Sequence, residues 1–309
     1  MFNVVDMDPD DDSVEVIASQ FFGEKVTLHS IQRGEKPQMT FKRTIDNKCG
    51  KAFGCIVADL DEHTDAVAGK GRVVDAGSTV DTLGEGDIFS HLLVTSHECS
   101  YREERKTKAN VFDRIKHKEG ATEEMAIATA TTNSHPDNSY QSGGSSPTDG
   151  GSLFAYRVPT GKGKWKTDEW ARTTVATGFK VQGQLNNMIN PGAPGFVYTF
   201  HARQEDKYGS EKRRPLIAVA GDCAESAYVF RPTDCSLSDD EDCGTDIAPD
   251  PAAEYDLMCE IKCGSTVGSI GVGYGDFCET EQESGYAKLY IPCYEDDKIL
   301  VFGLGSGED

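Results

Sequence analysis

The amino-acid sequence predicts an all-β protein assembled from repeated units of four short strands. Apolar segments of four to eight residues, rich in Val, Ile, Phe and Thr, recur between Gly, Asp and Pro residues, which is the pattern of strands and turns. Helical periodicity is not sustained anywhere except in a short polar stretch after Tyr101. Four such segments fill about 45 residues at the N-terminus, the length of one propeller blade.

One domain of residues 1–309 is expected, with four approximate units at 1–45, 46–175, 176–250 and 251–309. Two insertions, residues 62–89 and 101–150, are rich in Gly, Asp and Ser and are predicted as enlarged loops of the second unit. The predicted strands are residues 14–18, 23–31 and 41–45 in the first unit, 55–58, 91–96, 151–158 and 170–175 in the second, 178–181, 196–200, 216–220 and 227–230 in the third, and 255–261, 266–272, 287–291 and 298–302 in the fourth.

Several stretches each fit part of one consensus, which consists of an edge strand W/F-x-R-x-x-I/V, a Gly-containing link, an Ala-Asp-x-Asp segment and an apolar Leu-Ile-Val-Ala strand. The segments that carry it are residues 5–10 (VDMDPD), 58–61 (ADLD), 170–175 (WARTTV), 217–222 (IAVAGD) and 264–270 (GSTVGSI). This pattern resembles the FG-GAP/VCBS repeat family, the repeats of integrin heads and many secreted proteins. The resemblance implies a β-propeller of four-stranded blades, of which four are recognisable, although family propellers commonly close with more.

Two acidic loops are candidate calcium sites. Asp6, Asp8, Asp10 and Asp12 alternate along the first loop, and Asp59, Asp61 and Asp65 follow the strand 55–58. Spaced carboxylates can converge on Ca²⁺, a hard cation that prefers oxygen ligands. The family loop, D-x-D-x-D-G-x-x-D, is altered here, because Asp11 replaces its Gly and His63 occupies the third ligand position. A solvated acidic loop and turn capping are therefore the alternatives.

Histidines supply a second, catalytic hypothesis. The candidates are His91, His97, His135 and His201 together with Asp222, with His97, His201 and Asp222 as the foremost three. A borderline transition metal accepts imidazole and carboxylate ligands, and the resemblance extends to propellers similar to aldos-2-ulose dehydratase, which use such chemistry. No close spacing such as H-x-x-x-H is present, so ordinary structural histidines are the alternative.

Ten cysteines, seven of them after residue 220, favour disulfides and an extracellular or secretory location over the cytoplasm. Free buried thiols are the alternative, and Cys259 with Cys263 is a weaker candidate for zinc. The N-terminus turns acidic at Asp6, the reverse of a secretory leader. We therefore expect a secreted form to have lost its leader or to begin upstream of Met1.

Charge and hydropathy exclude two classes of partner. The chain carries 52 Asp and Glu against 31 Lys and Arg, a net charge of −21, which repels nucleic acid, and it contains no apolar run long enough to span a membrane.

The prediction is a non-catalytic binding or structural interaction module that takes a protein or carbohydrate through its loops. The alternative is a metal-dependent lyase or dehydratase acting on a sugar or polysaccharide. Trp165 and Trp170 are candidates for sugar stacking or for packing between blades.

Overall fold

The structure is a computed structural model that describes residues 1–8, 12–34, 36–61, 71–75, 88–97, 150–161, 163–182, 192–208, 213–233, 250–274 and 285–305. Within these ranges the chain is all-β, which confirms the predicted class. Its helical elements there are two short helices and one 3-10 turn. None of the helices in the described part of the chain has the length and apolar character needed to cross a membrane.

Seventeen strands form within the described ranges. They are β1 Phe2–Asp6, β2 Ser13–Gln20, β3 Lys25–Gln32, β4 Met39–Asp46, β5 Lys51–Ala58, β6 Gly71–Asp75, β7 Ile88–Phe89, β8 His91–His97, β9 Gly151–Arg157, β10 Ala171–Phe179, β11 Val197–Phe200, β12 Leu216–Ala220, β13 Ser226–Pro232, β14 Tyr255–Lys262, β15 Gly271–Gly273, β16 Lys288–Cys293 and β17 Lys298–Gly303. Helix α1 is Lys164–Thr167, helix α2 is Gln204–Tyr208, and the 3-10 turn is Pro251–Ala253.

The strands form four antiparallel sheets that follow each other in the sequence. Sheet 1 has the order β4-β3-β2-β1-β6-β7, sheet 2 has β10-β9-β8-β5, sheet 3 has β11-β12-β13-β14 and sheet 4 has β15-β16-β17. Apart from β6 and β7, consecutive strands of a sheet are neighbours, so each sheet is a meander. Pairing of strands that are neighbours in the chain is the usual arrangement, although in sheet 2 the connections from β5 to β8 and from β8 to β9 are long.

Three strand assignments differ from the sequence prediction. Strands β6 and β7 lie in the predicted loop 62–89 and extend sheet 1 beyond β1. Strand β14, expected to open the fourth unit, instead pairs with β13 and ends sheet 3. Residues Gly178 and Phe179, expected to open the third unit, end β10 in sheet 2. Each difference concerns a choice of partner strand, which local periodicity does not encode.

Three apolar cores hold neighbouring sheets together. Sheets 1 and 2 enclose a core that includes Ile17, Leu28 and Tyr156. Sheets 2 and 3 enclose another that includes Phe179 and Tyr228, whose rings meet edge to face at 5.0 Å. The core between sheets 3 and 4 contains Val229, Leu289 and Ile291 among others. The sheets are therefore stacked in chain order, 1 on 2 on 3 on 4.

Sheets 2 and 3 are covered on both faces. Along β8, Leu92 and Val94 face the core shared with sheet 1, whereas Leu93 faces the core shared with sheet 3. Successive side chains of β13 likewise face the core shared with sheet 2 and the core shared with sheet 4 in turn. Because successive side chains of a strand point to opposite faces, these strands need apolar residues at nearly every position, as LLV and AYVF supply.

Sheets 1 and 4 each have one face that no other described sheet covers. In sheet 1 this outer face includes Phe2, Met39 and Phe41, which are 66%, 63% and 55% exposed. In sheet 4 it includes Ile299 and Val301, which are 63% and 59% exposed. Both ends of the stack therefore present apolar side chains to solvent.

Candidate functional site

The strands of all four sheets end at two opposite edges of the stack. We call the edge where β8 ends at His97 the His97 end, and the edge where β8 begins at His91 the His91 end. The antiparallel registers place the β2–β3 turn, Asp222 and the β16–β17 turn at the His97 end. They place Asp6, Asp61, His201 and Asp250 at the His91 end.

His97 is enclosed at the edge of sheet 2 where β5 begins and β8 ends. A register irregularity between Ala52 and Cys55 interrupts the pairing of β5 with β8, and Phe53 lies within it. Its ring stacks on the imidazole with centroids 4.1 Å apart, and Phe21 from the β2–β3 turn meets the imidazole edge to face at 5.5 Å. The side chain of His97 is consequently only 3% exposed.

A loop that precedes β11 completes the enclosure of His97. A Cβ atom added to Gly192 would lie 2.1 Å from His97 Nδ1, so only glycine lets the backbone approach the ring this closely. Thr95, two residues before His97 on β8, donates a hydrogen bond of 2.7 Å to Gly195 O in the same loop. Sheet 2 and the loop of sheet 3 are thereby fixed against each other.

Asp222 approaches His97 from a turn that follows β12. The residue has a left-handed backbone with φ of +51°, which is uncommon for a residue other than glycine, although Asp tolerates it better than most. Its N–H donates to Val267 O at 2.7 Å, which ties the turn to the segment leading into sheet 4. Asp222 Oδ2 lies 3.6 Å from His97 Nε2, so the pair is in contact but longer than a hydrogen bond.

Burial shifts the pKa values of His97 and Asp222 in opposite directions, so that the pKa of Asp222 lies above that of His97. Loss of solvation lowers the pKa of His97 to about 4, against the opposing effect of a hydrogen bond that the imidazole donates to the backbone carbonyl of Pro194. Loss of solvation also raises the pKa of Asp222 to about 6, and nearby Glu295 raises it further by repulsion. Burial disfavours whichever form of a group is charged, so His97 is neutral at pH 7 and Asp222 titrates just below neutrality.

The neighbours of Asp222 add negative charge and a buried thiol. Burial, together with the charge of Asp222, raises the pKa of the Cys223 thiol to about 12. Burial raises the pKa of Glu295, but hydrogen bonds from Ser265 and Thr266 outweigh it and lower that pKa to about 2. A carboxyl with a pKa near 6 can act as a general base near neutral pH, whereas Cys223 with its raised pKa is a poor nucleophile.

The His91 end holds a second histidine and carboxylate pair, which is fully hydrogen bonded. His91 Nε2 lies 3.0 Å from Asp250 Oδ1, and His91 Nδ1 lies 2.8 Å from Ser90 Oγ. Asp250 also accepts from Thr173 Oγ1 at 2.9 Å and from Ala252 N at 3.0 Å. Burial raises the pKa of Asp250, but these hydrogen bonds outweigh it and lower the pKa to about 2. The arrangement joins sheet 2 to the turn before sheet 3's last strand.

His201 does not join His97 and Asp222. It follows β11 at the His91 end, where its Nε2 lies 2.9 Å from Arg213 O and its backbone N–H donates to Tyr274 Oη at 3.1 Å. Asp222 lies at the other end of the neighbouring strand β12, five residues long, which corresponds to roughly 17 Å of strand. His135 lies outside the described residues.

Two of the carboxylates predicted to bind calcium, Asp6 and Asp61, contact arginine side chains, and Asp6 also accepts a backbone hydrogen bond. Asp6 Oδ1 accepts from Asp8 N at 3.2 Å, and Asp6 Oδ2 lies 3.4 Å from Arg33. Asp61 lies 3.4 Å from Arg157. Asp10 and Asp65 lie outside the described residues, Asp12 is exposed, and Asp59 follows β5 near Tyr255. Among the described residues, no group of three or more His, Cys, Asp or Glu side chains is placed to hold a metal ion.

The described cysteines are free thiols. Cys49, Cys55, Cys223, Cys259, Cys263 and Cys293 form no disulfide, so Cys259 and Cys263 are not bridged, and Cys235 and Cys243 lie outside the described residues. The extracellular or secretory location inferred from the cysteine count stays a prediction. Trp165 and Trp170 are both buried in the core between sheets 1 and 2, so neither is available to stack on a sugar.

Two groups that shape these sites were not predicted from the sequence. Asp250 carries a usable signal, since Asp directly before Pro251 is a typical cap of a helical turn. Phe53 carries none, because its contact with His97 depends on the irregular pairing of β5 with β8.

Comparisons with known proteins give little further information. No family model matches the chain, and no curated protein matches it either. Among solved structures, hydrazine synthase from Kuenenia stuttgartiensis is similar with a TM-score of 0.35 and 10% sequence identity, over 99% of this chain and 58% of that chain. This chain thus spans less than two thirds of that protein chain, and a likeness so weak supports no conclusion about fold or activity.

Proposed function

We propose that this chain is a non-catalytic binding or structural interaction module of the FG-GAP/VCBS propeller type. The observation that carries the proposal is the enclosure of His97, the histidine best placed beside a carboxylate. Its ring is 3% exposed and is covered by Phe53, Phe21 and the backbone of Gly192. A general acid or base must come within hydrogen-bond reach of its substrate, and these contacts occupy the space that a substrate would need.

The stacking of the sheets supports the propeller architecture. Propeller blades are four-stranded meanders that pack face to face around an axis. Sheets 2 and 3 have four strands each, sheet 4 has three, and each packs on the next through a separate core. In this proposal β5, β11 and β15 lie toward the axis, sheet 1 extends beyond β1 on that side through β6 and β7, and the exposed last strands β4 and β17 lie at the rim.

Two exposed aromatic side chains at the His97 end are the proposed contacts for a partner. Phe22 in the β2–β3 turn is 76% exposed, and Tyr294 in the β16–β17 turn is 75% exposed. Aromatic rings on loop tips pack against apolar protein surface or stack on sugar rings. The net charge of −21 favours neutral or basic partners, and the insertions 62–89 and 101–150 would add contacts specific to each partner.

A binding assay with neutral polysaccharides tests this surface. Affinity electrophoresis through xylan, mannan and β-glucan gels is expected to retard the protein, and Phe22→Ala with Tyr294→Ala should weaken the retardation by about tenfold. Phe302→Ala is the matched control, because Phe302 is also exposed but lies on β17 away from that end. Equal retardation of all variants would refute the assigned surface.

Calcium in the loops at Asp6 to Asp12 and at Asp59 to Asp65 is part of the same proposal. The support is the spacing of the carboxylates and the position of Asp6 and Asp61 at the His91 end. Binding there would compete with Arg33 and Arg157 for the oxygens of Asp6 and Asp61, so we expect weak affinity. Calorimetric titration with Ca²⁺ should give a binding heat that Asp6→Asn or Asp59→Asn reduces, and the absence of any heat would remove calcium from the proposal.

A metal-dependent lyase or dehydratase acting on a sugar or polysaccharide is the second candidate. The observation that favours it is the 3.6 Å approach of Asp222 to His97, with the pKa of Asp222 raised by burial to about 6. Asp222 would then take the proton from the carbon next to the uronate carboxyl group, and the glycosidic oxygen on the adjacent carbon would leave, which forms the carbon–carbon double bond of the product. The test is the ultraviolet absorbance of an unsaturated product from uronate polysaccharides, with elemental analysis of the protein. Product formation that Asp222→Asn abolishes would overturn the non-catalytic proposal.

A further inference from the structure

The two ends of the sheet stack present matching apolar faces. On sheet 1 the register places Val16, His29 and Phe41 in one row across the strands, and Ile31 and Met39 in the next. On sheet 4 it places Tyr290 opposite Val301 and Pro292 opposite Ile299. Residues directly opposite in an antiparallel pair share a face. Since Leu289 and Ile291 face sheet 3, the side chains of Tyr290, Pro292, Ile299 and Val301 form the outer face of sheet 4.

We infer that a second copy of this chain covers these faces, with sheet 4 of each copy packed on sheet 1 of the other. This inference rests on the proposed function, because it names one partner of an interaction module. Two such contacts close a ring of eight stacked sheets with twofold symmetry. The contact is head to tail, and contacts of this type form rings when the rotation closes.

The stack itself shows why these two faces fit each other. We call the face of a sheet that points toward the following sheet its later face, and the opposite face its earlier face. In each of the three cores, the later face of one sheet packs on the earlier face of the next. The outer face of sheet 1 is an earlier face without a predecessor, and the outer face of sheet 4 is a later face without a successor. A second copy continues the same repeated packing, whereas contact between two sheet 4 faces would not.

Exposure and sheet number together select a second copy. Within one copy, sheets 1 and 4 do not cover each other, because Phe41 is 55% and Ile299 is 63% exposed. Propellers typically contain about four to eight blades. Two copies of four sheets reach eight, and three copies would exceed that range.

The small area of each face favours the closed ring over an open pair. The strands of sheet 4, with three, six and six residues, project onto roughly 240 Å², at about 4.8 Å between strands and 3.3 Å per residue. One such contact lies well below the about 800 Å² per partner of a typical stable interface. Ring closure makes the contact twice, and the second contact forms within an already joined pair.

Net charge opposes the association and makes it depend on salt. Each copy carries −21, so the copies repel each other at low ionic strength. The side chains on the two faces are mainly apolar and need no ion pair. Salt screens the repulsion, and the dimer should therefore strengthen as salt rises.

Sedimentation velocity of the full chain tests the inference. We expect a dimer at moderate salt, and a rise of about tenfold or more in the dissociation constant for Ile299→Glu with Val301→Glu and for Phe41→Glu. The control is Met258→Glu, which places the same charge at an exposed apolar position on β14 of sheet 3, outside both faces, and should leave the dimer unchanged. If circular dichroism shows that Phe41→Glu is unfolded, Met39→Gln replaces it on the same face.

Mixing the two face variants distinguishes this dimer from other arrangements. A copy with Phe41→Glu keeps its sheet 4 face, and a copy with Ile299→Glu and Val301→Glu keeps its sheet 1 face. The mixture therefore retains one intact contact and should associate more tightly than either variant alone but more weakly than the wild type. A wild-type monomer at high concentration and salt, open-ended polymers, or a dimer insensitive to both variants would each overturn the inference. Sugar turnover dependent on Asp222 would instead overturn the proposed function and leave the sedimentation result intact.

Discussion

At the scale of single residues, His97 and Asp222 make opposite contributions to the pH dependence of stability. The pKa of His97 is lowered from 6.5 to about 4, so the unfolded chain takes up the proton first and stability falls as pH drops from 6.5 to 4. The pKa of Asp222 is raised from 3.8 to about 6, so the unfolded chain loses its proton first and stability falls as pH rises from 4 to 6. Each contribution is roughly 3 kcal/mol, and between pH 4 and 6 they oppose each other.

Single substitutions should separate these two contributions. Relative to the wild type, Asp222→Asn leaves His97 and should gain stability as pH rises from 4 to 6.5. His97→Phe leaves Asp222 and should lose stability as pH rises from 4 to 6. Urea unfolding midpoints at half-unit steps of pH measure both slopes. Parallel profiles for the three proteins would show that the pair does not titrate as its burial implies.

Asp250 is expected to make the free energy of unfolding fall at low pH, as is usual for a carboxyl group with a lowered pKa. Hydrogen bonds hold its pKa at about 2 against the opposing effect of burial, so its stabilisation is present above pH 4 and is lost as pH falls from 4 to 2. Asp250→Asn should cost about 1–3 kcal/mol of unfolding free energy at pH 7, and the difference from wild type should shrink below pH 4. Asp256→Asn, an exposed position on β14, is the control and should change little. A constant difference across this pH range would contradict the assigned pKa.

Residue type and position in the sequence predicted His97 and Asp222 as site residues, but not the contact between them. His97 was a candidate because it ends a strand beside an acid, and Asp222 because it follows the strand at 216–220. Their contact depends on two turns from different sheets meeting at one edge. His201 was grouped with them on residue type, but the antiparallel pairing of β11 with β12 sends it to the opposite edge.

At the scale of elements, the loop before β11 is fixed by glycines that face other backbone and side chains. Gly192→Ala would place a Cβ atom 2.1 Å from His97 Nδ1, so we expect a loss of about 2–4 kcal/mol through strain and displacement of the ring. Gly268→Ala is the matched control, since nothing lies within 4 Å of its added Cβ. Thermal and urea unfolding compare the two. Equal stability of both variants would show that the loop is free to move away from His97.

The strand pattern predicted where most strands form but not always which sheet they join. Central strands such as β12 and β13 are evident from LIAVA and AYVF, because burial on both faces needs an almost continuous apolar run. Strand β14 was assigned to the wrong sheet, since its sequence YDLMCEIK alternates equally well beside either neighbour. Strands β6 and β7 sit in a Gly- and Asp-rich stretch. Strand β6 pairs with β1 and β7 pairs with β6, through contacts that only the fold supplies.

At the scale of the whole molecule, the four sheets form a stack in which each core lies between two consecutive sheets. Stability in such arrays is approximately a sum of unit and nearest-neighbour terms. Sheets 2 and 3 contribute to two cores each, whereas sheets 1 and 4 contribute to one. The terminal sheets should therefore open at lower free energy than the middle ones.

Amide hydrogen exchange followed by mass spectrometry measures this gradient. We expect the slowest exchange in β8, β9, β12 and β13. The informative comparison is between β14 and β17, which are both last strands of their sheets and differ in how many cores their sheets share. Strand β17 should exchange much faster than β14, and raising the protein concentration into the dimeric range should slow exchange in β17 and β4 but not in β14. Equal protection of all four sheets would mean that the stack unfolds as one cooperative unit.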